Sequence, residues 1–163
     1  MNAFPQLIEE NDRLRALIAR WRATPQSVAE LLPAAAEVLR ATAAAKEQEL
    51  YPAVLRHDPR RADRVDEAVR TNQQVEAFLS AALQSGPEGR GFLDDAYEAA
   101  AAADGLLLHE RRDLLPALEG DDVPETELDR VVGRLRTARS DYLNDHRADR
   151  SHDAPAGSDD LGH

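Results

Sequence analysis

KEQELYPAV (Lys46–Val54) returns 64 residues further along the chain as ERRDLLPAL (Glu110–Leu118). From the fourth position onward both carry an acid, a leucine, a bulky residue, a proline, an alanine and an aliphatic residue. A second pair precedes them in the same order. NDRLRALI (Asn11–Ile18) matches NQQVEAFL (Asn72–Leu79) at an offset of 61, with an aliphatic residue in fourth place and alanine in sixth. The chain therefore contains two similar halves, and each half holds two helical patterns. Two helical hairpins related by a pseudo-two-fold axis predict an all-α, up-down four-helix bundle.

The apolar spacing supports this reading throughout. Leu7, Asn11, Leu14, Ile18 and Trp21 share one face of a helix expected from about residue 5 to 23. Thr24-Pro25 interrupts it, with Ser27 as the expected N-cap of a second helix over about 28–56. Pro33 falls early in that helix and predicts a kink or a later start. Leu32, Ala35, Leu39, Thr42, Lys46 and Leu50 form its inner stripe. A third helix over about 60–84 turns Val65, Val69, Asn72, Val75 and Leu79 inward. SGPEGRG (Ser85–Gly91) breaks the chain before a fourth helix over 92–118. An additional C-terminal helix, about 125–146, completes a domain over 1–146, and the acidic tail 147–163 is expected to be disordered. Tyr97 and Trp21 read as packing aromatics, and the histidine in HERR (His109) reads as a surface residue.

Composition narrows the function classes. With no cysteine among 163 residues, disulfides, zinc-thiolate centres and thiol nucleophiles are excluded. The net charge of −11 argues against nucleic acid and against anionic membrane surfaces. The longest apolar run is far too short to span a bilayer, so the expectation is a soluble, cytoplasmic protein. Of 20 basic side chains, 19 are arginine and Lys46 alone is lysine. That lone ammonium lies on a stripe otherwise read as core.

The two proline-ended segments resemble those of hemerythrin-like domains, the HHE cation-binding family, in which His-x-x-x-Glu precedes a Leu-x-Pro ending. The likeness covers about residues 5–120. It implies a four-helix bundle that, in the family, holds a pair of irons. Matched position by position, the resemblance puts Asn11 where the first helix of the family presents histidine. Thr42 and Lys46 stand for the histidine and carboxylate of the second helix. Asn72 stands for the third-helix histidine, with Glu76 one turn later. Leu106 stands for the fourth-helix histidine, and Glu110 alone is a matched carboxylate. Residues of these types do not supply two irons with converging nitrogen and oxygen ligands, so no metal and no cofactor are expected.

A buried Glu110 without a metal needs another cation, and Lys46 faces it. Asn11, Thr42 and Asn72 are expected to accept from the remaining ammonium hydrogens. Arg15 and Glu76, equivalent under the repeat, are either an ion pair across the bundle or separate surface charges. Three readings of the pocket around Asn11, Thr42, Asn72, Glu76 and Leu106 stay open. The network fills the space left by metals; or it forms a small-molecule-binding, regulatory or interaction module, with a ligand or protein partner; or it is a cofactor-independent enzyme with Lys46 as base or amine and Glu110 as acid. Oligomeric state is not legible.

Overall fold

The structure, a computed structural model, describes residues 3–152. Helix α1 spans Phe4–Trp21, and α2 spans Pro25–Ala45. A π turn, Lys46–Leu50, joins α2 to α3, Tyr51–His57. After a 3₁₀ turn at Pro59–Arg61 come α4, Ala62–Ser85, and α5, Phe92–His109. A second π turn, Glu110–Leu114, and a 3₁₀ turn, Leu115–Leu118, close the fourth arm of the bundle. Helix α6, Glu125–His152, follows. No strand occurs among the described residues, and no helix among them is long and apolar enough to cross a membrane.

The second helix begins earlier than its sequence suggests. Thr24 is extended, and its hydroxyl accepts the Ser27 amide at 3.0 Å. Pro25 then occupies a first-turn position that needs no N–H, so Thr24 takes the cap expected of Ser27. Pro33 stays inside the helix, held there by Val28, Leu32, Ala35 and Ala36, all buried around it. At the other hairpin, Gly86 ends α4 with φ +71 and ψ 167, a conformation essentially restricted to glycine.

Around the bundle α1 adjoins α2 and α5, while α4 packs closely on α5 and more loosely on α2. Helix α6 lies outside this ring, chiefly against α2 and the first π turn. It buries Leu128, Val131, Val132 and Leu135, and Arg136 reaches Gln6 on α1 at 2.7 Å. The helix continues to His152, beyond the expected end near residue 146. The rest of the expected disordered tail, 153–163, lies outside the described residues.

The core is divided in two. One apolar cluster contains Leu7, Leu50, Val65, Leu106, Leu114 and the inward face of α6. The other contains Leu14, Trp21, Leu32, Val75, Leu79 and Phe92. On each of the four arms a polar residue falls between the clusters: Asn11, Thr42 with Lys46, Asn72, and Glu110. The candidate site is this polar layer.

Candidate functional site

Both π turns sit directly before a proline, at equivalent places in the repeat. Pro52 and Pro116 have no N–H to offer and crowd the carbonyl four residues back. The preceding turn widens instead, with Tyr51 N–H bonded to the Lys46 carbonyl and Leu115 N–H to that of Glu110. On an α-helix, residues five apart would point about 140° away from each other. The i to i+5 bond of a π turn stacks them, so Lys46 and Tyr51 leave the second arm side by side.

Together they meet one carboxylate. Lys46 Nζ lies 2.6 Å from Glu110 Oε2, and the Tyr51 hydroxyl donates to Glu110 Oε1 at 2.6 Å. The Glu110 side chain is 1% exposed, whereas that of Lys46 is 14% exposed. Burial, reinforced by the Glu110 charge, raises the Tyr51 phenol far above its ordinary range. Tyr51 therefore remains a donor, and both carboxylate oxygens of Glu110 are engaged.

The remaining polar residues depart from the expected shell. Asn11, though buried, gives its amide hydrogen to the Leu107 carbonyl at 3.0 Å. Asn72 approaches Tyr51 Oη and Glu47 Oε1, each at 3.3 Å. None of the three side chains Asn11, Thr42 and Asn72 hydrogen-bonds Lys46. Asn11 Oδ1 and Thr42 Oγ1 are buried without a hydrogen-bond partner among the described residues. The shell falls short because Tyr51, which α-helical spacing does not bring to this face, takes the place beside Glu110.

Two cavities flank Lys46. The larger, about 380 Å³, opens where α2 and α4 pack loosely. Its body is apolar, formed by Leu14, Leu39, Val75, Leu79, Leu106 and Leu107, and Tyr142 of α6 adds to its wall. Thr42, Lys46, Glu47, Asn72, Gln73 and the Arg40–Glu76 pair supply its polar groups. The smaller, about 30 Å³, lies on the other side, among Asn11, Thr42, Lys46, Glu110 and Arg139. Leu14, Thr42 and Lys46 line both, so together they form the partition.

Glu76 lies on the rim and is exposed. Its carboxylate takes two bonds from Arg40, at 2.7 and 2.9 Å, and one from Ser80 at 2.8 Å. Partial burial would raise its pKa, but these bonds outweigh that effect and lower it. Arg15 pairs with Asp104 at 3.0 Å rather than with Glu76. Leu106 contributes only apolar surface.

The histidines whose side chains are described do not converge on this layer. His57 contacts Glu127 at 3.0 Å. His109 is buried rather than exposed, with Nδ1 2.8 Å from Asp113 and Nε2 3.1 Å from the Arg64 carbonyl. The π turn and the start of α4 enclose it. Tyr97, expected to pack, is exposed, while Trp21 is fully buried.

Among the described residues, no group of three or more His, Asp or Glu side chains is placed to hold a metal ion. A pair of cations needs lone pairs from every arm. Here Leu106 has none to give, Asn11 and Thr42 offer only neutral oxygens, and an ammonium stands against Glu110, the one buried carboxylate among the described residues. The residues present do not fit a two-metal centre.

No curated protein and no solved structure matches the chain. The family model for the hemerythrin HHE cation binding domain matches residues 2–118, leaving α6 outside it. That match spans well over half of the sequence, and the chain belongs to the hemerythrin HHE cation-binding domain family.

Proposed function

We propose that this is a metal-free member of its family, a cytoplasmic bundle that binds a small, neutral, mainly apolar molecule in the cavity between α2 and α4. The observation carrying the reading is the contact of Lys46 Nζ with Glu110 Oε2 at 2.6 Å, with Tyr51 on the other carboxylate oxygen. The central layer is thus internally neutralised, and the space beside it is open. At about 380 Å³ the cavity falls at the small end of ligand sites.

Its charges indicate what fits. Arg40 is paired with Glu76 and Lys46 with Glu110. Glu47, at the exposed mouth, has Asn72 as its partner. An anionic ligand would find both cations already paired and would have to break one of these pairs at a desolvation cost, whereas a neutral one need not. Among the described residues Thr42 Oγ1 has no partner, and the Lys46 ammonium has a single hydrogen bond out of three hydrogens. These groups can hold one polar end of a ligand whose body lies against Leu39, Val75 and Leu79.

The test combines metal analysis after expression in iron-replete medium with titration of 1-hexanol followed by protein NMR. Less than about a tenth of an iron per chain, with shifts clustered around the cavity, is the expected result. Stoichiometric iron would overturn the metal-free reading. Shifts scattered over the surface would remove the cavity as the ligand site. The enzymatic alternative, with Lys46 as base or amine and Glu110 as acid, gains support from one feature: Lys46 faces the cavity with its proton acceptor already in contact.

A further inference from the structure

We propose that Lys46 captures neutral aldehydes and ketones from the cavity as a reversible imine, with Glu110 moving the protons. This rests on the ligand-binding reading above and names the substrate class. A neutral carbonyl compound meets the charge balance of the wall, and its oxygen can accept from Thr42 or from Lys46. Lysine is the one side chain able to make this bond, and the chain keeps it only here, against 19 arginines.

The contact between Lys46 and Glu110 supplies the first proton transfer, and the remaining steps follow from the chemistry of these two groups. The Lys46 ammonium passes a proton to Glu110 Oε2 across the existing 2.6 Å contact, leaving a free amine. The nitrogen lone pair forms a bond to the carbonyl carbon. The π pair moves to oxygen, which receives the nitrogen's proton and gives a carbinolamine. Glu110 then returns its proton to that hydroxyl; the C–O bond breaks, water leaves, and the nitrogen lone pair forms the C=N bond. The product is a protonated imine. It carries the same charge as the original ammonium and stands beside the same carboxylate, so no uncompensated charge is buried at the end.

Two neighbours suit this sequence. Tyr51 holds Glu110 Oε1 at 2.6 Å and stays protonated, fixing the carboxylate while Oε2 exchanges protons. The small cavity behind Lys46, about 30 Å³ and lined by Asn11 and Thr42, has room for the one water released. Asn11 Oδ1 and Thr42 Oγ1 have no partner among the described residues and can bind it.

The experiment incubates the full chain with hexanal and sodium cyanoborohydride and locates the reduced adduct by peptide mass mapping. Binding of 1-hexanol, which cannot form an imine, is measured in parallel. The N-terminal amine is the internal reference, since Lys46 carries the chain's sole ε-amine. The expected result is alkylation at Lys46 faster than at the N-terminus, abolished with hexanol binding in an Ala43→Phe variant that fills the cavity. A Glu110→Gln variant should slow trapping about a hundredfold. If hexanol binds but Lys46 is trapped no faster than the N-terminus, the imine is refuted and the ligand reading stands. If hexanol does not bind and Lys46 is not trapped, both fall. Trapping at Lys46 that survives Ala43→Phe also overturns the proposal, because the cavity is then not the route.

Discussion

The contact between Lys46 and Glu110 can be measured by a double-mutant cycle using Lys46→Met and Glu110→Gln. The two partners are buried unequally, with side chains 14% and 1% exposed. Lys46→Met strands a buried carboxylate that keeps only the Tyr51 hydroxyl as its protein partner. Removing one member of a buried pair costs about 3–5 kcal/mol, and the retained Tyr51 bond argues for the low end, about 3. Glu110→Gln is milder. Gln still accepts from Tyr51, and Lys46 can swing its ammonium into the larger cavity, so about 1–2 kcal/mol is expected. In the double variant no charge remains and Met occupies the lysine's volume, so the total cost should be near 1 kcal/mol, or about 3–4 kcal/mol less than the sum of the singles. Urea titration gives these differences directly. In thermal melts, Lys46→Met should lower Tm by roughly 6–12 °C for a chain of this size. Single-variant costs that add to within about 0.5 kcal/mol would show the pair to be uncoupled, and the account of the central layer would fail.

Three further outcomes follow from neighbouring contacts. Tyr51→Phe should destabilise the fold by about 2 kcal/mol, because Glu110 Oε1 loses a charged hydrogen bond in the core; a loss below about 0.5 in urea titration would place Tyr51 outside the network. Leu135→Ala, at the buried seat of α6, should cost about 2–4 kcal/mol in the same assay, and a neutral result would show that α6 does not dock as described. Asp113 is held down to about 2, from 3.8, mainly by the Arg112 hydrogen bond and also by His109, despite the opposing effect of partial burial. A depressed carboxyl stabilises the fold above its unfolded pKa and loses that contribution as pH falls from about 4 toward 2. Asp113→Asn should therefore narrow the stability difference from wild type across that interval, and a gap that stays constant with pH would contradict it.

Much of the fold was legible because repetition and proline are robust signals. The offsets of 64 and 61 paired the arms, and Leu-Tyr-Pro with Leu-Leu-Pro set the register that brought Lys46 and Glu110 to one level. What escaped the sequence lies close to the two π turns. Helical spacing of 3.6 residues sends Tyr51 away from Lys46, and the same spacing puts His109 about 100° from Glu110 and hence on the surface. One additional residue in the turn brings Tyr51 to the carboxylate, and the His109 ring lies against Asp113 in that turn and against the Arg64 carbonyl. The signal was present in both prolines, whose missing N–H forecasts an altered preceding turn. The open seam between α2 and α4 had no comparable signal. It arises from how closely α4 packs on α5, a tertiary balance that no local pattern encodes.

The π turn also explains how one backbone can serve opposite charges. One turn begins with Lys46 and the other with Glu110, yet both close with the same i to i+5 bond just before a proline. The widening therefore depends on the proline and not on the residue that opens the turn. That residue is presented toward the partner arm whatever its charge. With an acid on each arm, the layer would require an external cation to offset two buried carboxylates. With lysine on one arm, the compensating charge is part of the chain and the layer is neutral without a metal. The substitution leaves the hydrogen-bonding of the turn untouched, because it changes only a side chain. Arginine at the same place would bring a planar fork too wide for a single carboxylate oxygen already flanked by Tyr51, which accounts for the one lysine in an arginine-rich chain.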